Sequence, residues 1–384
     1  MPSGSTVQGT VAEGFEGVRE ELAAFVAEEE HDPGAQLAVF RHGEPVADLW
    51  AGDLVDGDSL VPVFSATSGA VHLVAALLVQ DGALGLDREV AAYWPEFAAE
   101  GKGAVTVREL LAHRAGLIGA DGGFTPEELL DDRAVAARLA AQRPFWRPGA
   151  GHGYHVLTIG ALVAEVVRRV SGAGVRELFE ERVRAPYGLD FFLGLPGAER
   201  ARTREVLPMA LTPGQAAAQA GRRRSRHGLL TIAFNRSADP AFDLVALANS
   251  RAAQEQAPAS LGGVGNARGL AGMYAAAIGP FGGREPLLKP ETVAEFARPH
   301  SLEKDLVTGE DAFALGFQAL GLGHAGLGAD AFGHGGAAGT LALADPRAGF
   351  SYGYVRRRYA FPGGPAAENE RLIRAVQRAV EDAA

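Results

Sequence analysis

Between Ala70 and Val79 every residue is apolar except His72. A helix with apolar residues on nearly all sides cannot lie on a surface, so this one must run through the interior of a large domain. The turn Gln80-Asp81-Gly82 closes it. A chain of 384 residues is long enough to enclose such a helix. Candidate covering elements lie on both sides of it in sequence. Ala12 to Glu30 carries Phe15, Val18, Leu22 and Phe25 at helical spacing. Gly34 to Phe40 and Pro45 to Gly52, split by Arg41-His42-Gly43-Glu44, read as a β-hairpin.

Further helices are expected around Val107–Ala112, Pro126–Gln142 and Leu157–Val170, and a stretch rich in Gly, Pro and Arg follows at 186–230. Strand signals return at Leu229–Phe234, Leu244–Asn249, Phe313–Leu320, Leu341–Ala344 and Phe350–Val355, and an amphipathic helix occupies Ala366–Ala383. Strands toward both ends with helices between them describe an α+β protein. The expected architecture is an antiparallel β-sheet flanked by terminal helices, with a mostly helical subdomain at roughly 80–230 inserted into a single domain spanning 1–384.

Charge and composition exclude several functions. A net charge of −11 argues against nucleic acid as a partner, because phosphate binding needs a basic face. The one basic cluster, Arg222 to His227, reads as a solvated loop or as a site for an anionic group. There is no cysteine, so disulfides and thiolate chemistry are ruled out. The N-terminal segment is acidic and amphipathic, which predicts no secretory signal, and no apolar run reaches the ~18 residues a membrane span needs. A cytoplasmic location is therefore expected. Paired metal-binding histidines and phosphate-binding glycine loops are missing, so we expect no metal and no cofactor. The expected partner is a small-molecule substrate, free or carrier-bound, with no membrane contact; the sequence leaves the oligomeric state open.

Ser65, in Val63-Phe64-Ser65-Ala66-Thr67-Ser68-Gly69, stands at the start of the buried helix. A helix N-terminus presents unpaired N–H groups and the positive end of the helix dipole, which favour a nucleophile or oxyanion. A serine there more commonly only caps those N–H groups, and on this segment alone the capping role is the favoured reading.

Segments elsewhere bear on that choice. The Ser65 segment is followed in order by Leu84 to Asp87, Tyr93 to Glu96, Val105 to Leu117, Phe145 to Gly149, Gly153 to Val156, Gly265 to Ala271 and Phe332 to Gly336. This ordered set, spanning about 12–380, resembles the serine β-lactamase and penicillin-binding-protein superfamily, specifically its class C β-lactamase-related esterases and acyltransferases. The resemblance implies a β-lactamase/transpeptidase-like fold with Ser65 as the acyl-accepting nucleophile and Tyr154 as a proton-transfer partner. It also implies that His334-Gly335-Gly336 forms a strand lining the site, with the Ala337 N–H joining that of Ser65 in an oxyanion hole. Glycines suit such a strand because substrate must approach its backbone closely.

The departure from the pattern is Ser68. The family's Ser-x-x-Lys motif places a lysine one helical turn beyond the nucleophile, where its amine helps take the serine proton. Here that residue is a serine, and the chain has only Lys102, Lys289 and Lys304, whose contexts read as surface loops and a helix start. His72, at i+4 from Ser68, is read first as a buried neutral histidine with a hydrogen-bond partner and second as the end of a relay from Ser65 through Ser68, since His72 itself stands ~10 Å along the helix from Ser65. His152 and His155 flank Tyr154 and either tune it or point away.

Three functions remain open: acyl chemistry at Ser65 with an altered base; a repurposed pocket using Tyr154 and His334 for cyclisation, isomerisation, elimination or addition in specialised metabolism; and a non-catalytic ligand-binding protein. Proton transfer is typically worth ~10²–10⁴-fold in rate, so the missing lysine weighs against the first.

Overall fold

The computed structural model describes residues 6–221, 225, 228–236, 238, 243–310 and 312–383. The expected hairpin joins β2 (Ala35–Arg41) to β3 (Glu44–Ala51). Its two-residue turn, His42-Gly43, has positive φ at both positions (49° and 82°), the geometry whose twist matches the flanking strands. Before it in sequence comes β1 (Gln8–Val11), and later strands are β4 (Val61–Pro62), β5 (Phe191–Phe192), β6 (Val264–Gly265), β7 (Phe332–Gly335), β8 (Leu341–Asp345) and β9 (Phe350–Arg356). The main sheet runs β1-β3-β2-β9-β8-β7, with every neighbouring pair antiparallel. Strand β2 from the start of the chain pairs with β9 from its end, Leu37 facing Tyr354. A small second sheet has the order β4-β6-β5.

Side-chain alternation gives this sheet two buried faces. Leu37, Val39, Leu341, Leu343, Tyr352 and Tyr354 point into a core with helix α1 (Glu16–Glu28) and the C-terminal helix Glu368–Asp382. Arg371 ties those helices together, donating to Glu21 at 2.5 Å and to Glu28 at 2.6 Å. The opposite face contributes Ala38, Ala342, Ala344 and Val355 to the larger core. There lie the helix Ala267–Ile278 and helix α2 (Thr67–Gln80), which is buried from Thr67 through Leu78. The helix Ile159–Ser171 packs across α2. The α+β architecture expected from the sequence is therefore the one observed.

Several local expectations are corrected. Leu229–Phe234 and Leu244–Asn249 are not strands; they hold short helices at Leu229–Ala233 and Leu244–Asn249. Apolar runs this short carry no decisive period, and at the second the Asp243 carboxylate accepts from the Val245 and Ala246 N–H groups as a helix cap. Phe313–Leu320 makes only isolated bridges, its extended run interrupted at Gly316 with φ 80°. The helix expected over Pro126–Gln142 is two, Pro126–Leu129 and Asp132–Ala141, separated where Asp131 caps the second. Lys102, expected at the surface, is buried, its ammonium donating to the carbonyls of Ala99 and Gln142 at 2.6 Å each. The basic cluster 222–227 lies outside the described residues apart from Ser225. Among the described residues no helix is long and apolar enough to cross a membrane.

Candidate active site

The chain leaves β4, turns at Phe64 and enters α2 through a single tight helical turn, Phe64–Ala66. Phe64 has φ 51°, a strained conformation for a bulky residue and one that functional sites commonly retain. Thr67 holds this turn, donating to the Phe64 carbonyl at 2.5 Å and accepting from the Gly263 N–H at 2.9 Å. Ser65, half-buried, thereby faces a cavity of about 200 Å³.

Across this cavity stands Ala337, just beyond β7. The end of that strand is pressed against the serine turn. A Cβ on Gly336 would fall 2.3 Å from the Val63 carbonyl oxygen, so only glycine allows the approach. Among the described residues neither the Ser65 nor the Ala337 N–H is used in a hydrogen bond, and both residues line the cavity. Two uncommitted N–H groups beside a serine suit a developing oxyanion. The remaining walls are mainly apolar, including Val156, Leu157, Phe234 and Leu261, with Arg236 exposed at the rim. Larger clefts, of about 650 and 680 Å³, open around Glu165 and Arg168. Those two residues pair with each other at 2.6 Å, and neither cleft is lined by the serine.

Tyr154 is buried, two residues before Val156 of the cavity wall. Its ring packs against Phe313 (5.3 Å between centroids), His113 (5.4 Å) and His334 (5.9 Å). Its backbone N–H donates to the Asp305 carboxylate at 2.8 Å, and the other Asp305 oxygen accepts from the Val307 and Thr308 N–H groups. His152 Nε2 is 3.7 Å from Asp305, and its Nδ1 is 3.6 Å from Glu303. His155 is committed to structure. Its Nδ1–H donates to the Gly153 carbonyl at 2.7 Å, which leaves Nε2 to accept from the Leu117 N–H at 3.0 Å.

The polar residues beneath Ser65 are unusual. Ser68 is fully buried, and its hydroxyl has no hydrogen-bond partner among the described residues. His72 donates from Nδ1 to the Ser68 carbonyl at 2.6 Å, not to the Ser68 hydroxyl, and its Nε2 is left unpaired. His334 donates from Nδ1 to the Gly335 carbonyl at 2.8 Å and also leaves Nε2 unpaired. Burial holds both rings neutral, His72 with a pKa of about 3 and His334 with one of about 4. His113 is the inverse case. Its Nδ1 accepts from the His155 N–H at 3.2 Å, so its proton sits on the unpaired Nε2. Burial first, and the neighbouring His155 next, keep it well below the ordinary imidazole range.

The structure thus gathers Ser65 and Ala337 at one cavity, and separately brings Tyr154 and His334 into ring contact. It turns His155 to backbone partners. Sequence reasoning missed His113 and Asp305. His113 falls in one of the quoted segments without any motif of its own, and Asp305 sits in a loop that reaches Tyr154 only through folding.

Known proteins share this fold and sequence pattern. Residues 18–377 match the Beta-lactamase family. The esterase/beta-lactamase LipL of Mycobacterium tuberculosis is 32% identical over 343 residues, covering 86% of this chain and 78% of LipL. The structure of EstA from Arthrobacter nitroguajacolicus superposes with a TM-score of 0.90 at 37% identity, covering 98% of this chain and 99% of EstA. A penicillin-binding protein homologue from Caulobacter crescentus gives a TM-score of 0.84 at 30% identity over 97% of this chain and 99% of the homologue. The motifs, the sheet order and these likenesses converge: the chain belongs to the Beta-lactamase family.

Proposed function

We propose that this chain is a carboxylic ester hydrolase in which Ser65 attacks the ester carbonyl and carries the acyl group. The observation that carries this reading is the placement of Ser65 opposite Ala337, with both backbone N–H groups uncommitted at one small cavity. Attack turns the carbonyl oxygen into an oxyanion, and two fixed donors stabilise that charge where it develops. The strained Phe64 keeps the serine at the mouth of the cavity instead of in a capping bond. Tyr154, held by Asp305, is the proposed acid that returns a proton to the leaving alcohol. The cavity's size and apolar walls favour a compact, uncharged acyl group.

Two relatives support the ester reading, since both LipL and EstB of Burkholderia gladioli are described as esterases. The test is intact-protein mass after exposure to a fluorophosphonate, together with hydrolysis of p-nitrophenyl acetate. A single adduct and measurable turnover, both lost in Ser65→Ala, are expected. A folded wild-type protein that takes no label, or a Ser65→Ala variant that still turns over, overturns the proposal.

A further inference from the structure

Among the described residues, four buried side chains from three separate parts of the chain leave polar atoms without partners. Ser68 and His72 come from α2, His113 follows the helix Val107–Leu111, and His334 is on β7. All four are fully buried. The His72 ring lies 5.9 Å from that of Phe317, which packs at 5.0 Å against Phe332, two residues before His334 on β7. Ring contacts also join His113 to Tyr154 at 5.4 Å and Tyr154 to His334 at 5.9 Å. The Tyr274 hydroxyl, also without a partner, stands 2.5 Å from where a Cβ on Gly69 would lie, next to Ser68. Gly316 packs directly against His72, where a Cβ would fall 1.8 Å from the ring.

The hydrogen-bond roles of these atoms are complementary. His72 Nε2 and His334 Nε2 are bare lone pairs because their Nδ1–H groups are committed to carbonyls. His113 Nε2–H is a donor with nothing to receive it. Ser68 Oγ both donates and accepts. Buried polar atoms left this way cost their full desolvation, and buried waters are the usual means by which folded proteins satisfy such clusters.

We propose that Ser68, His72, His113 and His334 enclose a site for buried water, one helical turn below Ser65, which conducts the Ser65 proton to His334. This rests on Ser65 being the nucleophile. As the bond from Ser65 Oγ to the ester carbon forms, the Oγ proton passes to the water. The water passes one of its own protons to His334 Nε2, which becomes an imidazolium. When the tetrahedral intermediate collapses, the carbon–oxygen bond to the alcohol breaks, Tyr154 gives its proton to the leaving oxygen, and the His334 imidazolium, in ring contact with Tyr154, returns its proton to the tyrosine. The net proton count is unchanged. The His113 Nε2–H and the Ser68 hydroxyl orient the water throughout and act as positioning groups.

Two measurements test this. A high-resolution crystal structure of the wild-type chain is expected to show ordered water within hydrogen-bond distance of His334 Nε2 and at least one of Ser68 Oγ and His72 Nε2. A dry pocket overturns the proposal whether or not Ser65 reacts. In the second, the rate of Ser65 acylation by p-nitrophenyl acetate is followed across H₂O–D₂O mixtures. Two protons in flight bow the plot, and His334→Leu is expected to slow acylation ~10²-fold, with KM little changed, and to straighten it. His334→Asn serves if the leucine variant does not fold. A straight plot in the wild type, or an unslowed His334 variant, overturns the relay. Absence of any Ser65 adduct instead defeats the ester-hydrolase reading and with it the relay, while the water site is still judged by the crystal structure.

Discussion

Lowering the pH should destabilise this protein steeply, because four imidazoles are buried in neutral form. His72 has a pKa of about 3, while His155 and His334 have pKa values of about 4, with burial the leading cause in each. In the unfolded chain an imidazole titrates near 6.5. Above that pH both states are neutral and these groups contribute no pH dependence. As the pH falls through 6.5 the unfolded chain takes up protons that the folded chain cannot, so stability is lost down to the folded pKa values. At pH 5 each such ring has cost about 2 kcal/mol relative to pH 7. His113, held well below the usual range, adds a similar loss. The combined loss of about 8 kcal/mol is comparable to the 5–15 kcal/mol that holds a typical domain together. The assay is urea unfolding at pH 7, 6 and 5, followed by fluorescence of the three tryptophans. His72→Leu isolates one ring and cancels every group that titrates elsewhere. Its target is well chosen, because the Ser68 carbonyl keeps its backbone partner in the helix when the imidazole is removed. The variant should lose about 2 kcal/mol less than wild type between pH 7 and pH 5. Equal losses in the two proteins, or a wild type as stable at pH 5 as at pH 7, would refute the reasoning.

Three other outcomes follow. Ser68→Lys puts an amine among neutral imidazoles with no carboxylate in the cluster, and should add an alkaline limb to the pH–rate profile of ester hydrolysis as that amine loses its proton; an unchanged profile would show that position 68 does not communicate with Ser65. Gly336→Ala drives a methyl group to within 2.3 Å of the Val63 carbonyl and should cost about 1–3 kcal/mol along with most of the activity, read by thermal unfolding and p-nitrophenyl acetate turnover. Lys102→Met strands the Gln142 carbonyl and takes from the Ala99 carbonyl one of its two donors, so it should lower the urea midpoint by about 1–3 kcal/mol equivalent while leaving kcat alone.

What could be read from the sequence follows the range of the interactions involved. The Ser65 turn, the apolar helix behind it and the hairpin around His42-Gly43 are local patterns, and each is found where its spacing places it. Leu244–Asn249 was misread because six residues do not separate a strand from one and a half helical turns, although Asp243 in front of it carried a capping signal. His113 and Asp305 are harder. His113 follows the apolar residues Leu110 to Ala112, and its importance arises from rings brought to it from residues 154, 155 and 313. Asp305 is separated from Tyr154 by 151 positions. The unpaired atoms beneath Ser65 were likewise beyond reach, since a lost partner is visible only once every neighbour has been placed.

The pairing of β2 with β9 bears on how the molecule is made. Strand β9 is an inner strand of the main sheet, yet it is the last to leave the ribosome. Until residue 356 emerges, the hairpin of β2 and β3 has an open edge and α1 lacks the C-terminal helix that covers it. The nascent chain must keep that edge from pairing with other strands through most of its synthesis. Its final closure joins segments more than 300 residues apart, a contact pattern that makes folding slow and leaves truncated products without a sheet to complete.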